Sequence, residues 1–176
     1  AMNVYGSVLL RTDDAETALE VTQAALSRRL QQTSELHPLV LRARQSAGQA
    51  LLKNGQVDAA LVELEKTHQG MRQVFGDTHP ETLLVLLDRM EAAQAAGQLD
   101  SMRPWLKNFQ EGVEALRAQH GLSVKSRRVL FERYVDGYRL QVLSNMRAGQ
   151  SDTAFELAEL SKARTLLEST ALQYAN

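Results

Sequence analysis

The sequence predicts an all-α fold in which about four antiparallel helix pairs stack into an α-solenoid. Three observations lead to this prediction. The 176-residue chain is rich in Ala, Leu, Gln and Glu and holds only three prolines, a composition that favours helices. Its turns recur at a fixed spacing. Apolar residues between the turns follow the helical period. Because one helix pair cannot bury its apolar stripe alone, stacked pairs are needed to form a core.

The repeated turns define the units. The stretch 55–58 (Gly-Gln-Val-Asp) and the stretch 97–100 (Gly-Gln-Leu-Asp) stand 42 residues apart, and the same offset separates the His-Pro pairs at 37–38 and 79–80. A further turn at Gly149 follows Gly97 by 52 residues, so the last unit is longer by about ten residues. We predict one array over residues 1–176, with units near 1–34, 35–76, 77–120 and 121–176.

Each unit is predicted to consist of a helix, a tight turn and a second helix. Pro38 and Pro80 suit the first turn of a helix, and Gly55 and Gly97 suit a left-handed residue at a helix end. Asp58, Asp100 and Asp152 come just beyond the turns, where a carboxylate can cap free N–H groups. The predicted helices span 3–11, 14–32, 37–54, 57–75, 79–96, 99–119, 123–148 and 151–174.

Small residues recur at fixed distances from the turns and predict close contacts between paired helices. Gly6 and Gly48 precede the turn position by seven residues, and Ala18, Ala60 and Ala154 follow it by five. The third unit departs from this pattern with three large residues where small ones are expected. They are Met90, Met102 and Phe109.

This arrangement resembles the tetratricopeptide repeat. The His-Pro openings, the period of 42 residues and the segment 74–83 (Val-Phe-Gly-Asp-Thr-His-Pro-Glu-Thr-Leu) look like the longer-helix subtype of kinesin light chains and many bacterial proteins. A second resemblance lies in residues 161–168 (Ser-Lys-Ala-Arg-Thr-Leu-Leu-Glu), which are similar to the last repeat before a CHAT domain, a caspase-like module of bacterial proteins. It implies an effector domain next to this chain.

No feature of the sequence points to catalysis, a cofactor or a metal. The chain has no cysteine and no phosphate-binding loop, Gly-x-Ser-x-Gly elbow or His-Glu-x-x-His motif. His37 and His79 belong to the repeated helix starts, and His68 and His120 lie late in their helices, where a cation suits the helix dipole. We therefore expect no enzyme, no cofactor and no metal site.

Charge and hydropathy limit the partners. The formal net charge of −1 gives no field to attract nucleic acid. The sequence shows neither an apolar run of 18 residues nor a signal peptide, so we expect a cytoplasmic protein that binds no membrane. Ala1 before Met2, and an end inside an apparent helix, suggest a fragment of a longer chain.

The resemblance implies that the first helix of each pair lines a concave groove. Arg and Gln side chains there can hydrogen-bond an extended peptide or a carboxylate, although a simple solvated polar face would look the same. The predicted partner-binding residues are Arg11, Arg42, Gln45, Gln49, Lys53, Asp88, Glu91, Arg139 and Arg147. Asn3, Ser7, Leu84, Gln94, Leu143 and Met146 are predicted to point the same way.

Three functions remain open at this point. The leading hypothesis is a non-catalytic protein-interaction or regulatory module that controls an adjacent CHAT-like effector. The alternatives are a stand-alone peptide or signal receptor and a structural spacer. A caspase-like His and Cys encoded after residue 176 would favour the first hypothesis.

Overall fold

The computed structural model describes residues 14–118 and 124–173, and these ranges contain seven α-helices, one short 3-10 helix and no β-strand. The helices are α1 (Ala15–Leu30), α2 (Pro38–Lys53), α3 (Val57–Phe75), α4 (Pro80–Ala95), α5 (Arg103–Ala118), α6 (Val124–Arg147) and α7 (Ser151–Gln173), with the 3-10 helix at Asp100–Met102. The all-α prediction is confirmed. The helix predicted at 3–11 lies outside the described residues.

Most predicted helix ends fall within two residues of the observed ones, and the predicted helix at 99–119 differs most. Its first turn is a 3-10 helix, and α5 begins only at Arg103. Pro104 explains the change, since its ring lacks an N–H group and is tolerated only at the beginning of an α-helix.

The two His-Pro pairs begin helices by the same mechanism. His37 and His79 are N-cap residues with extended backbone, and each imidazole Nδ1 accepts the N–H of the residue two places on, at 3.2 Å. Proline follows each histidine at the position where a missing N–H group is harmless. The sequence prediction for these helix starts is confirmed.

Glycine with a positive φ follows helices α2, α4 and α6. Gly55 has φ +75° and Gly97 has φ +73°, as predicted, and Gly149 has φ +72°. After Gly55 and Gly149 the following glutamine N–H donates to a carbonyl of the last helical turn, from Gln56 to Leu51 and from Gln150 to Asn145, each at 2.9 Å. This bond is the signature of the Schellman motif.

Asp58 and Asp152 lie two residues beyond the N-cap positions of their helices. Asp58 and Asp152 are in the first turn of α3 and α7, and the N-cap of α3 is Gln56, which makes no side-chain cap bond. Their charge still complements the positive end of the helix dipole. Asp14 is a true cap, since its Oδ1 accepts the Thr17 N–H at 3.0 Å. Hydrogen bonding to Thr17 lowers the pKa of Asp14.

The described helices fall into two compact units, divided between Gly97 and Gln98. In the first unit α2 packs against α1 and α3, and α3 packs against α4. Ala18 and Ala60, two of the predicted small positions, are fully buried. Leu41, Met71 and Val85 form one core cluster across α2, α3 and α4, so the first helices of successive pairs share a core with the helix between them.

Close approach of α2 and α3 depends on two glycines. A Cβ atom on Gly48 would stand 2.8 Å from both Cγ and Cδ2 of Leu64, and one on Gly70 would stand 2.5 Å from Cδ2 of Leu41. Non-bonded carbon atoms do not approach each other this closely in folded proteins. The prediction that Gly48 lies where two helices touch is confirmed, and Gly70 makes the reciprocal contact.

In the second unit, α6 packs against α5 and α7. The large Phe109 of α5 is fully buried and meets Tyr134 of α6 edge to face, with ring centroids 5.5 Å apart. A Cβ atom on Gly137 would lie 2.1 Å from the Phe109 ring. At this contact the small residue is therefore on α6 and not on α5, and Gly137 leaves the space that the Phe109 ring occupies.

Candidate functional site

The predicted binding residues of the second repeat lie on α2 beside α4. Arg42 and Glu81 form a two-pronged ion pair that joins these helices, with Arg42 Nε donating to one carboxylate oxygen at 2.9 Å and Nη2 contacting the other. About half of the Arg42 side chain remains exposed. The Glu81 carboxylate raises the pKa of Arg42, so this guanidinium stays charged.

One turn further along, both glutamines of α2 converge on a single carboxylate of α4. Gln45 Nε2 donates to Asp88 Oδ2 at 2.5 Å, and Gln49 Nε2 donates to the same oxygen at 2.9 Å. Asp88 is only 2% exposed. The sequence placed Asp88 among the outward-pointing residues, whereas the structure buries it between the two helices, where it holds the glutamine side chains in place.

Four residues of α2 are called here the α2 polar face. Arg42 and Lys53 are exposed at its two ends, and Gln45 and Gln49 are half-buried between them. Their spacings of three, four and four residues put all four on one side of the helix. The resulting surface offers a cation at either end and two fixed amides in the middle.

The other predicted binding residues are placed as follows. Glu91 is half-buried on α4, in the same compact unit as the α2 polar face. Arg139 and Arg147 are exposed on α6, in the second unit, together with Leu143 and Met146. Arg11 lies outside the described residues.

A second polar network of the first unit was missed from the sequence. Arg44 is 7% exposed, and its Nη1 donates to Glu63 of α3 at 3.0 Å while Nη2 lies 4.0 Å from Glu35. A signal for this burial exists, because Arg44 follows Val40 by four residues and precedes Leu51 by seven. Those spacings place a charged residue on the apolar stripe of α2.

The interpretation of His68 as a cation near a helix end is wrong. It is 8% exposed on α3, and burial, with the charges of Arg89 and Arg72 next in weight, lowers its pKa to about 4. Arg89 in turn pairs with Glu65. His68 is therefore a neutral core residue at pH 7, and the positive charge near it belongs to arginine.

The described part of the chain contains neither a metal-binding cluster nor a membrane span. Within residues 14–118 and 124–173, no group of three or more His, Asp or Glu side chains is placed to hold a metal ion. In the same ranges, no helix is both long enough and apolar enough to cross a membrane.

Comparison with known proteins identifies the fold. Two solved structures of nearly identical TPR-like repeats, from a Podospora anserina protein assigned as a kinesin light chain, each superpose with a TM-score of 0.63. The second is a variant of the first. In both cases the match covers 92% of this chain and 92% of the other, at 18% sequence identity. No protein-family model matches the sequence, and no curated protein does.

The chain therefore has the TPR-like repeat fold, an all-α solenoid of helix pairs. This agrees with the resemblance drawn from the His-Pro openings and the period of 42 residues. At 18% identity the likeness concerns the fold alone.

Proposed function

We propose that this chain is a non-catalytic protein-interaction module, and that the α2 polar face binds an extended segment of a partner protein. The observation that carries the proposal is the fixed pair of glutamines. Asp88 holds Gln45 and Gln49 from beneath, so these amides are ordered before any ligand arrives. Ordering side chains in advance reduces the entropy lost on binding.

The hydrogen bonds suggest what the partner offers. Each glutamine uses one N–H of its amide nitrogen on Asp88, so the amide oxygen, an acceptor, and the second N–H remain to bind a ligand. An extended backbone presents both N–H donors and C=O acceptors along each edge. Arg42 and Lys53 supply cations at the two ends of the face, and a ligand carboxylate could replace Glu81 as the partner of Arg42. An extended peptide with an acidic group fits this pattern.

We further propose that binding at this face regulates a CHAT-like effector in the same native chain. The support is the similarity of residues 161–168 to the repeat that precedes such domains. A stand-alone peptide receptor and a structural spacer are the alternatives. Sequencing the native gene beyond residue 176 tests the effector directly, since a caspase-like domain with its His and Cys must follow there.

Selection from a random peptide library tests the binding face directly. The library is displayed on phage and selected against the whole chain, and bound peptides are remeasured by fluorescence anisotropy. We expect replacement of both Arg42 and Lys53 by Ala to weaken binding roughly tenfold, because two charge-assisted contacts are lost. The loss should be larger at low salt, where exposed charges are less screened.

Lys66 provides the matched control. It is an exposed cation on α3, outside the α2 polar face, and it pairs with Glu63 at 3.3 Å. Lys66→Ala should leave peptide affinity unchanged. If the selected peptides ignore the double replacement but lose affinity with Lys66→Ala, the binding face lies on another side of the unit. A failure to select any peptide favours the structural spacer.

A further inference from the structure

A cavity in the second unit is separate from the face described above. It has a volume of about 440 Å³ and lies among α5, α6 and α7. This size is within the range of about 300–1,000 Å³ that is usual for small-molecule sites. Every residue that lines it belongs to residues 98–176, so the site is contained in one compact unit.

Gln141 of α6 lines this cavity and carries an unused acceptor. Its side chain is 2% exposed, and its Nε2 donates to the backbone carbonyl of Leu106 at 2.7 Å. Its Oε1 is buried and has no hydrogen-bond partner among the described residues. The carbonyl of Leu106 accepts and cannot donate, so the amide cannot be turned round to satisfy the oxygen.

An unsatisfied buried acceptor is unfavourable, because it has lost its hydrogen bonds to water without gaining a partner. Most such groups in proteins are satisfied by a neighbour or a bound molecule. Gln141 is thus an acceptor at the cavity wall that a ligand with an N–H or ammonium donor would satisfy. Leucine at this position would have avoided the penalty in a site that stays empty.

The walls of the cavity add charge and apolar surface. Leu106 on α5 and Leu157 and Leu160 on α7 provide aliphatic surface. The charged residues are divided between opposite helices, with Arg103 and Lys107 on α5.

The opposing charge is Glu156 on α7. Arg103 and Lys107 contact Asp100 at 3.4 Å and Glu111 at 3.8 Å, and all four of these side chains are largely exposed. Exposed pairs of this kind contribute little to stability, so both cations can turn to a ligand. The cavity has two cations on one wall and one anion on the facing wall.

We propose that this cavity is a binding site for a small zwitterion with apolar side chains, of the class of a short apolar peptide. The ligand carboxylate pairs with Arg103 and Lys107, and the ammonium group pairs with Glu156. A ligand N–H group donates to Gln141 Oε1, and the apolar side chains contact Leu157 and Leu160. The inference does not depend on the α2 polar face, because no residue is shared.

Isothermal titration calorimetry of the whole chain with the dipeptide Leu-Leu tests the site. Two analogues act as matched probes, since N-acetyl-Leu-Leu lacks the ammonium group and Leu-Leu amide lacks the carboxylate. We expect Leu-Leu to bind at millimolar concentration or below, and each analogue to bind roughly tenfold more weakly, because each loses one charge-assisted contact.

Substitutions assign the contacts. Gln141→Leu should weaken Leu-Leu binding severalfold while the chain unfolds at an unchanged or higher denaturant concentration, because the unsatisfied acceptor is gone. Glu156→Gln should weaken Leu-Leu but not N-acetyl-Leu-Leu. Glu159→Gln is the control, since Glu159 is an exposed acid on the same helix that does not line the cavity. It should change nothing.

Two results would overturn the proposal. One is the absence of any binding heat for all three compounds at millimolar concentration. The other is equal binding of the three compounds to the wild type and to Gln141→Leu, which would make the cavity a merely apolar recess. If Gln141→Leu does not fold, the comparison of Glu156→Gln with Glu159→Gln decides the question by itself.

Discussion

Gly48 sets the distance between α2 and α3 by having no side chain. We expect Gly48→Leu to lower the free energy of unfolding by about 1–3 kcal/mol, because the new atoms would enter space occupied by Leu64 and force both helices to shift. Urea denaturation followed by circular dichroism measures the change.

A double-mutant cycle with Leu64→Ala tests whether this contact is the cause. Leu64→Ala alone should destabilise by about 2–5 kcal/mol through the cavity it leaves. In the double variant the new leucine can occupy that cavity, so the combined loss should be smaller than the sum of the two. Strict additivity would mean that position 48 acts through something other than its contact with Leu64.

His68 predicts how stability depends on pH. Its pKa in the folded state, about 4, is below the usual value of 6.5, so the folded protein resists protonation while the unfolded chain accepts it. Its contribution is complete above about pH 6.5 and is lost as the pH falls towards 4. The loss should reach about 3 kcal/mol, at about 1.4 kcal/mol for each unit of pKa.

Denaturant midpoints measured between pH 7 and pH 4 test this prediction, with His68→Gln as the comparison. The variant should lose much less stability over this interval, because glutamine does not titrate. Arg89, Arg72, Glu65 and Asp77 also face this site. Asp77 titrates lower still, since its hydrogen bond with Arg72 lowers its pKa. Parallel curves for the two proteins would remove His68 as the cause.

The sequence indicated many residues by type and position, but it could not indicate their partners. Helical spacing placed Arg42, Gln45 and Gln49 correctly on one side of α2. The same reasoning put Asp88 outside, because a periodic pattern shows which side of one helix a residue occupies and not which neighbouring helix covers that side. Arg44 was missed for the related reason that its partner Glu63 belongs to the next helix.

Two polar contacts join α2 and α4, and one is much more deeply buried than the other. The difference in burial predicts a difference in their contributions to stability. Asp88→Ala should destabilise by about 2–3 kcal/mol, because it leaves the Gln45 and Gln49 amides without their charged acceptor. Arg42→Ala should lose less than about 1 kcal/mol, because its pair with Glu81 is half exposed.

Thermal and urea unfolding of the two single variants measures this contrast. Glu81→Ala serves as the control for the exposed pair and should match Arg42→Ala. Equal losses at positions 42 and 88 would show that burial does not determine the strength of these contacts. A large loss at Arg42 would also require the peptide-binding test to be corrected for unfolded protein.

Helices were the best predicted elements, and the reason is local. Pro38, Pro80 and Gly55 have backbone preferences that act within two or three residues, so they mark helix ends whatever surrounds them. The 3-10 helix before α5 was not anticipated. It depends on the backbone angles at Pro104 and in the turn before it, and the spacing of apolar residues carries no information about these angles.

For the whole chain, the division after Gly97 predicts that residues 1–97 fold alone. This unit has its own core, including Leu41, Met71 and Val85. We expect a fragment of residues 1–97 to be helical and to unfold in one cooperative transition. Its stability should retain the pH dependence ascribed to His68. Circular dichroism and urea denaturation of the purified fragment test this.

A shorter fragment is the matched control. Ending the chain at Gly76 removes α4, and with it Val85 from the core cluster and Asp88 from the polar contacts with α2. This fragment should unfold gradually or at a much lower urea concentration. If residues 1–97 show no cooperative transition, the first unit depends on the remainder of the chain.

The overall fold could be predicted because a repeat states the same structure more than once. The His-Pro openings and the recurring glycines indicated the same repeat independently, and the structural comparison agreed with it. The partner could not be predicted in this way, since a ligand contacts the variable polar positions and not the repeated ones. The effector assignment depends on eight helical residues, 161–168, and stays a prediction.

The bonds from Gln45 and Gln49 to Asp88 also bear on how such an array can evolve. Ser46 occupies in the second repeat the position that Asp88 occupies in the third, 42 residues later, and its hydroxyl is bonded to the carbonyl of Arg42 within α2. A tandem duplication of residues 35–76 would therefore set the two glutamines of one copy against a serine in the next. The two copies would stack in the same shape, but the glutamines of one copy would lack an acceptor on the next. Growth of the array by duplication would therefore require a second mutation, from serine to aspartate, at each new boundary.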